Sequence, residues 1–476
     1  MYRMAMFLRN FSYAFVYLTL FALAGCEPGG DSSDRAASDT AEDDKTEVVQ
    51  PDEASEHNEQ LVQAIAALQE FDAACERVEA IWPVTLCGEL VLVHPQTRLA
   101  VANRLDPAGI FKAQDGVFLG EWPADMGVAN TGFEWDGEKW AMAMLPLSDD
   151  RFSRLMLLAH ESFHRIQPAL GHTIADPMAR HLDEEAGRVW LRLELRALAK
   201  ALIAEGEEAR EAVTDALLFR QVRHDFYPDA VAVERQLEAH EGLAEYTGAR
   251  FALDATGADR SAVAERVARF ENRPTYVRAL GYGTGPALGL LLDDYTPGWR
   301  EDLGTSPDLI ALLTGALNAG ETDSDAADRL ERAERRAVDY AGDDIRTEEA
   351  ERAERLAAER SRYRMELVDG AVLIIDTPGF RLMFNPNTVL SLGEEGDVYP
   401  GAILMGPWGR LTLEEGAALA PPERNRARVM APEDLQPDAD GNVYGPGWTL
   451  ELNSGWRLMP GPRDGDVRLL ERDGQE

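Results

Sequence analysis

The segment 151–168 limits the fold of this chain more than any other stretch of its sequence. Five apolar residues at 155–159 lead into His-Glu-Ser-Phe-His at 160–164, so the segment enters a hydrophobic core. Pro168 disfavours helical geometry in the residue before it and therefore ends the run. The pattern predicts a buried helix of about 15 residues between these limits.

Two histidines of this segment, His160 and His164, lie four residues apart and share one face of the predicted helix. Two neutral imidazoles on one turn supply half of a tetrahedral zinc site, and the adjacent carboxylate of Glu161 can act as a base toward water. Histidine is scarce, with 8 in 476 residues, which argues against a chance match on an apolar helix. We therefore predict a Zn²⁺ site that needs a third ligand elsewhere.

The first 26 residues resemble the signal of a bacterial lipoprotein. A mostly apolar stretch at 11–24 is too short to span a bilayer and ends in Leu-Ala-Gly-Cys at 23–26. The resemblance implies that Cys26 is lipidated, and an ordinary secretory signal is the alternative. The residue after Cys26 is Glu27 and not an aspartate, so the resemblance does not imply retention in the inner membrane. We expect an exported protein whose lipid anchor holds it to the outer membrane, facing the periplasm or the cell surface.

Composition limits the partners and predicts a tether. Residues 27–58 are rich in acidic and small residues, which predicts a disordered acidic tether. The whole chain has 47 basic and 85 acidic residues and a net charge of −38. This balance argues against nucleic-acid binding, because neutralising phosphates requires a basic patch.

Besides Cys26, the chain contains only Cys75 and Cys87. In a compartment that oxidises thiols, this pair is predicted to form a disulfide, with free thiols as the alternative. Closing so short a loop is worth about 3 kcal/mol.

Residues 59–150 predict an N-terminal α/β lobe that begins with a helix at 60–81 and continues into strands. Asp136-Gly137 is a strong signal for a hairpin turn. The strand that returns from this turn, at 139–147, leads directly into the predicted helix that carries His160 and His164. A hairpin strand in this position resembles the edge strand of zincin proteases, which pairs with the backbone of a peptide substrate. The alternative is that the strand only covers the helix.

Two glutamates are candidates for the third metal ligand. Glu184 follows His164 by 20 residues (184 − 164), the spacing of thermolysin-like enzymes. Glu241 follows by 77 residues (241 − 164), within His-Glu-Gly-Leu-Ala-Glu at 240–245. This segment resembles Asn-Glu-Gly-Phe-Ala in the zinc aminopeptidases of the gluzincin group, with His240 in place of the asparagine. The resemblance implies that Glu241 completes the metal site.

Glu245 lies one turn after Glu241, and the resemblance implies that it hydrogen-bonds a metal histidine. Glu184 lies in no matching segment. We therefore predict Glu241 rather than Glu184, which makes 170–235 an inserted helical pair. The alternative for Glu241 and Glu245 is a solvated helix face.

An oxyanion donor is also implied. Tyr-Gly-Thr-Gly at 282–285 precedes an apolar helix and resembles the Tyr-x-x-Gly segment of the same aminopeptidases. Tyr282 would then donate a hydrogen bond to the developing oxyanion. Tyr276 and His240 are the other candidates, and a tyrosine buried in a glycine-rich turn is the structural alternative.

The remaining sequence completes an α+β expectation, with a small N-terminal β-rich lobe and a zincin-like, mostly helical catalytic domain at 151–320. Residues 321–362 are rich in Glu and Arg at helical spacing, which predicts a charged helical linker with solvated faces. Residues 363–476 predict a small β-rich domain, either a sandwich or a partial barrel.

These patterns together predict a zinc metallohydrolase, most specifically a peptidase that acts on a peptide or protein substrate. His160, His164 and Glu241 would hold zinc, and Glu161 would act as the general base. The alternative is a non-catalytic surface lipoprotein whose zincin-like domain binds peptide or cell-wall material.

Overall fold

The computed structural model describes residues 53–317, 325–377, 379–385, 388–432, 435–439 and 441–471. The predicted signal with Cys26 and most of the predicted tether lie outside these residues. Helix α1 begins at Glu53, so the last residues assigned to the tether are helical. No helix in the described part of the chain is both long enough and apolar enough to cross a bilayer.

The described residues form an α+β protein, as predicted. The α-helices are α1 Glu53–Cys75, α2 Arg151–Ile166, α3 Glu185–Ile203, α4 Gly206–Phe226, α5 Ala230–Leu237, α6 Leu243–Thr256, α7 Ser261–Phe270, α8 Leu280–Tyr295, α9 Leu309–Ala316, α10 Ala326–Ala337 and α11 Gly342–Arg364. The strands of the N-terminal sheet are β1 Leu90–Val93, β2 Leu99–Ala102, β3 Lys112–Gln114, β4 Val117–Glu121, β5 Thr131–Trp135 and β6 Glu138–Met144. The later strands are β7 Val372–Ile375, β8 Arg381–Met383, β9 Leu390–Ser391, β10 Asp397–Pro400, β11 Ile403–Gly406, β12 Gly409–Leu413, β13 Ala417–Ala420, β14 Ala427–Met430, β15 Asn442–Gly445, β16 Trp448–Leu452, β17 Trp456–Pro460 and β18 Val467–Glu471.

The chain divides into two compact units. The first unit contains the described residues up to Ala175, together with Glu238–Val263 and Gly285–Leu313. The second unit contains all the other described residues. This division crosses the predicted domain boundary at residue 150, because strands β1–β6 and helix α2 belong to the same unit.

The sheet of the first unit has the strand order β3-β4-β2-β1-β6-β5. Strands β1 and β6 are parallel, and all the other neighbours are antiparallel. Asp136 and Gly137 have φ values of 47° and 86°, which suit the tight hairpin turn between β5 and β6. The strand that precedes α2 therefore lies inside the sheet, so the prediction that it resembles an edge strand is wrong. Its hairpin partner β5 is one of the two edge strands of this sheet, and β3 is the other.

Helix α2 is fixed at both ends and along one face. The Asp150 side chain accepts a hydrogen bond from the Ser153 backbone N–H at 2.8 Å and caps its first turn. The α-helix ends at Ile166, before Pro168, as the sequence predicts, but Gln167 keeps helical φ and ψ of −52° and −42° and begins a 3₁₀ turn that ends at Leu170. Helix α6 packs against α2 so closely that a Cβ at position 248 would lie 2.4 Å from the Met156 carbonyl oxygen, which explains Gly248.

Cys75 and Cys87 form a disulfide in the first unit, with their Cα atoms 5.9 Å apart. The bond joins the end of α1 to the segment that leads into β1. It closes the short loop that the sequence predicts.

In the second unit, one side of helix α11 is buried, although the sequence predicts solvated faces for the charged segment 321–362. Glu349 of α11 is 2% exposed and accepts hydrogen bonds from Arg188 at 2.6 Å and from Arg192 at 2.9 Å. Both arginines belong to α3. The local sequence pattern of α11 gives no sign of these contacts. The prediction of a solvated face is therefore wrong for this side of α11.

The strands of the second unit form two sheets, with orders β17-β18-β7-β14-β13-β10-β9 and β15-β16-β12-β11-β8. Side chains from both sheets share one hydrophobic core, including Leu373 and Val429 from the first and Leu404 and Leu450 from the second. Two sheets around a common core form a sandwich, one of the two architectures that the sequence predicts.

Glu234 of α5 is the centre of a buried charge network in the same unit. Its carboxylate accepts two hydrogen bonds from Arg223, both at 2.8 Å, and the Nε2 atoms of His181 and His224 lie at 2.7 Å and 2.9 Å. Burial alone would raise the pKa of Glu234, but Arg223 and the two histidines hold this pKa well below its ordinary value. The network therefore stabilises the ionised carboxylate.

We expect Glu234→Gln to lower the free energy of unfolding at pH 7 by roughly 1–3 kcal/mol, because Arg223 keeps its ion pair with Glu194 at 2.7 Å but loses its hydrogen bonds to a buried carboxylate. The carboxylate stabilises the fold fully above its unfolded pKa of 4.5, and this contribution is lost as pH falls through the lower folded value. Urea unfolding of both proteins at pH 7 and at an acidic pH below 4.5 measures the difference. Glu354→Gln, at an exposed position of α11, is the control. Equal stability of Glu234→Gln and wild type would contradict this prediction.

Candidate metal centre

Three side chains of the first unit converge on one point. The Nε2 atoms of His160 and His164 lie 3.0 Å apart. Glu241 Oε2 lies 3.4 Å from the first of these nitrogens and 3.3 Å from the second. Metal–ligand bonds of about 2.0–2.1 Å in a tetrahedron give ligand separations of about 3.3 Å, so the three atoms are spaced as zinc ligands are.

A π-helical turn supplies the third of these atoms. Glu241 lies in the turn Glu238–Gly242, which directly precedes α6. The backbone of α8 rests on this turn, since a Cβ at Gly285 would lie 2.3 Å from the Gly242 Cα and carbonyl oxygen. Single π-helical turns often occur at functional sites. The sequence identifies Glu241 through its gluzincin-like segment but gives no sign of the turn's geometry.

Glu245, one turn further along the chain, orients the first histidine. Its Oε2 lies 2.7 Å from His160 Nδ1. Because an ionised carboxylate can only accept, Nδ1 carries the proton and Nε2 is left to face Glu241. This is the contact that the sequence resemblance implies for Glu245, and such an outer partner raises the basicity of a ligand.

Glu161 is almost fully buried beside the two histidines, with 3% of its surface exposed. Its Oε2 is buried and has no hydrogen-bond partner among the described residues. Burial raises the pKa of Glu161 to about 7, although His160 and His164 act in the opposite direction. A carboxyl group with such a pKa can both accept and release a proton near neutral pH.

The charges of the centre favour a cation. Burial disfavours the charged form of His160, yet hydrogen bonds to Glu241 and Glu245 raise its pKa well above the ordinary value. Burial would also raise the pKa of Glu241, but His164 and His160 hold it well below the ordinary value. The described residues contain two groups able to hold a metal ion, His160-Glu161-His164 and His164-His240-Glu241.

His240 lies closer to the candidate metal ligands than the sequence alone indicates. Its ring centre is 5.1 Å from that of His164, and its Nδ1 lies 3.5 Å from Glu241 Oε1. Burial lowers the pKa of His240 to about 4, so this imidazole is neutral near pH 7. The proximity places it among the groups that could touch a ligand or a substrate at the centre.

Three further residues singled out by the sequence, Glu184, Tyr276 and Tyr282, belong to the second unit. Glu184 is exposed before α3, where its Oε2 accepts a hydrogen bond from Tyr227 at 3.0 Å, and it belongs to neither metal-binding group. The Tyr276 hydroxyl donates to the Glu271 carbonyl.

Tyr282 is half-buried in the first turn of α8, with the guanidinium of Arg273 6.0 Å from its ring centre. The structure of the second unit does not test its role as an oxyanion donor, which stays a prediction from the resemblance.

Gln167 is a further residue of the centre, and no sequence motif singles it out. Its Oε1 lies 3.1 Å from His164 Nδ1, so it is the outer partner of the second histidine. Its position three residues after His164 was the available signal, because residues three apart share a helix face.

Comparison of the chain with protein-family models, curated proteins and solved structures returns no match. The geometry of these histidines and glutamates is therefore what supports a function for the chain.

Proposed function

We propose that this protein is a zinc-dependent hydrolase of the gluzincin type that cleaves peptide bonds. The observation that carries the proposal is the convergence of His160 Nε2, His164 Nε2 and Glu241 Oε2, at mutual distances of 3.0–3.4 Å. Two histidines and one carboxylate are a ligand set of catalytic zinc sites, in which a fourth position stays open to water or substrate. Two outer partners hold the histidines, as is usual for metal centres.

Zinc bound by these residues would polarise a carbonyl group and lower the pKa of water. Glu161 accepts the proton of the attacking water and then delivers it to the leaving amine. Its burial serves this role, because it keeps the carboxylate out of bulk water and beside the two histidines. Glu245 keeps the His160 ring in the orientation that presents Nε2.

The edge strand β5 supports a peptide as the substrate. It packs against α2, and its outer side has no neighbour among the described strands. An extended peptide can pair with such an edge through backbone hydrogen bonds. Tyr282 as the oxyanion donor, and export with a lipid anchor at Cys26, remain predictions from sequence resemblance.

The full chain is expected to bind one zinc ion and to cleave members of a peptide library. A chelator should abolish cleavage and added zinc should restore it, while His164→Ala should lose the metal because one of three ligands is missing. Elemental analysis and mass spectrometry of the digests measure the two quantities. Full zinc occupancy in His164→Ala would refute the site. Zinc binding without any cleavage would favour the alternative, a lipoprotein that only binds peptide or cell-wall material.

A further inference from the structure

Gln167 is a fully buried polar side chain at the end of α2. It makes three hydrogen bonds, all within the first unit. Its Oε1 lies 3.1 Å from His164 Nδ1, and its Nε2 donates to the carbonyl oxygens of Ala239 at 3.0 Å and His240 at 3.2 Å. One amide group thus contacts both a metal histidine and the backbone of the π-helical turn.

The chemistry of these partners fixes the orientation of the amide. Backbone carbonyl oxygens only accept hydrogen bonds, so the nitrogen of Gln167 must face Ala239 and His240 and its oxygen must face His164. The oxygen only accepts, so His164 Nδ1 must carry a proton. Nε2 of His164 is then the ring nitrogen that faces the point where Glu241 also converges.

We propose that Gln167 is a positioning residue that couples His164 to the turn carrying Glu241, so that the two ligands hold their geometry together. The inference rests on the metal centre of the proposed function. The two carbonyls that Gln167 binds belong to the two residues directly before Glu241. A movement of this turn would therefore also disturb the partner that fixes the His164 ring.

The position requires an amide. A carboxylate could accept from His164 but has no N–H for the two carbonyls, and it would place a negative charge against their oxygens. His160 has no such requirement, because its partner Glu245 contacts an imidazole and need not donate to a carbonyl. The two metal histidines are therefore held by partners of different chemistry for a physical reason.

Two substitutions separate the functions of this side chain. Gln167→Glu keeps the acceptor for His164 and removes both donors, whereas Gln167→Met keeps the approximate volume and removes all three hydrogen bonds. Ser162→Ala is the matched control, since Ser162 is also buried on α2 and its hydroxyl donates to the Leu158 carbonyl, at 2.7 Å.

We expect Gln167→Met to bind zinc about 10–100-fold more weakly than wild type, as loss of an outer partner does, whereas Gln167→Glu loses affinity only through the loosened turn and Ser162→Ala binds normally. Competition with a chromogenic chelator measures the affinity. In the metal-free protein, hydrogen exchange should become faster at residues 238–245 in both Gln167 variants, because the turn loses its two donors.

The two readouts distinguish the possible failures. Wild-type zinc affinity and wild-type exchange in Gln167→Met would overturn the role of Gln167 while leaving the metal centre intact. Absence of zinc from the wild-type chain would instead overturn the proposed function. A general loss of stability with unchanged zinc affinity would reduce Gln167 to a structural residue and would also overturn the coupling.

Discussion

Glu161→Gln is expected to retain zinc and to hydrolyse peptides about 10²–10⁴-fold more slowly than wild type. Glutamine has nearly the same shape as glutamate, so the buried space beside His160 and His164 stays filled. It cannot accept the proton of the attacking water. The loss should appear in both kcat and kcat/KM, because proton transfer contributes in the transition state and not to substrate binding.

The measurement is zinc content and cleavage rate for wild type and Glu161→Gln, on the same peptide. Glu89→Gln is a control, since this half-buried glutamate pairs with Arg165 of α2, the helix that carries Glu161, and has no place in the proton transfer. Rates equal to wild type in Glu161→Gln would contradict the role of this carboxylate. Loss of zinc in the same variant would show that Glu161 is needed to hold the metal and not only to act as a base.

The sequence predicts the metal helix well because its determinants are local. Apolar residues at helical spacing, a capping aspartate and Pro168 all lie within the segment, and α2 has the expected limits. Glu241 and Glu245 are also one turn apart, so a short pattern suffices to place both on the same side of their helix. Their convergence with α2 could be predicted only through resemblance, because 77 residues (241 − 164) separate Glu241 from His164.

Other features depend on partners that are distant in the sequence. Strand β1 pairs with β6 in parallel, and this pairing leaves β5 at the edge of the sheet. The sequences of β1 and β6 give no local sign that the two strands are neighbours. Glu349 illustrates the same limit for a helix. A segment rich in Glu and Arg has the same pattern whether it faces water or, as here, Arg188 and Arg192.

Gln167 shows why the support of a site is harder to predict than its ligands. A metal ligand must be one of a few residue types at a characteristic spacing, which a sequence can reveal. An outer partner needs only a suitable donor or acceptor within reach of a ring nitrogen. For Gln167, two of its three contacts are backbone carbonyls, which every residue possesses.

Glu241→Gln is expected to weaken zinc binding by a larger factor than loss of an outer partner, which costs about 10–100-fold. The reason is that the substitution removes a direct ligand. Among the described residues, Glu241 provides the only carboxylate within 3.4 Å of Nε2 of both His160 and His164. Glu184→Gln should bind zinc as wild type does. Glu184 is exposed and accepts a hydrogen bond from Tyr227 at 3.0 Å, which the carbonyl oxygen of glutamine can also accept.

Chelator competition on the two variants side by side decides between the two ligand spacings considered from the sequence. Each substitution removes one negative charge, so a nonspecific electrostatic effect would weaken zinc binding similarly in both proteins. A selective loss in Glu241→Gln therefore identifies a ligand rather than a change in net charge. The reverse result, with affinity lost only in Glu184→Gln, would mean that the shorter, thermolysin-like spacing supplies the third ligand. The gluzincin-like segment at 240–245 would then have no role in holding the metal.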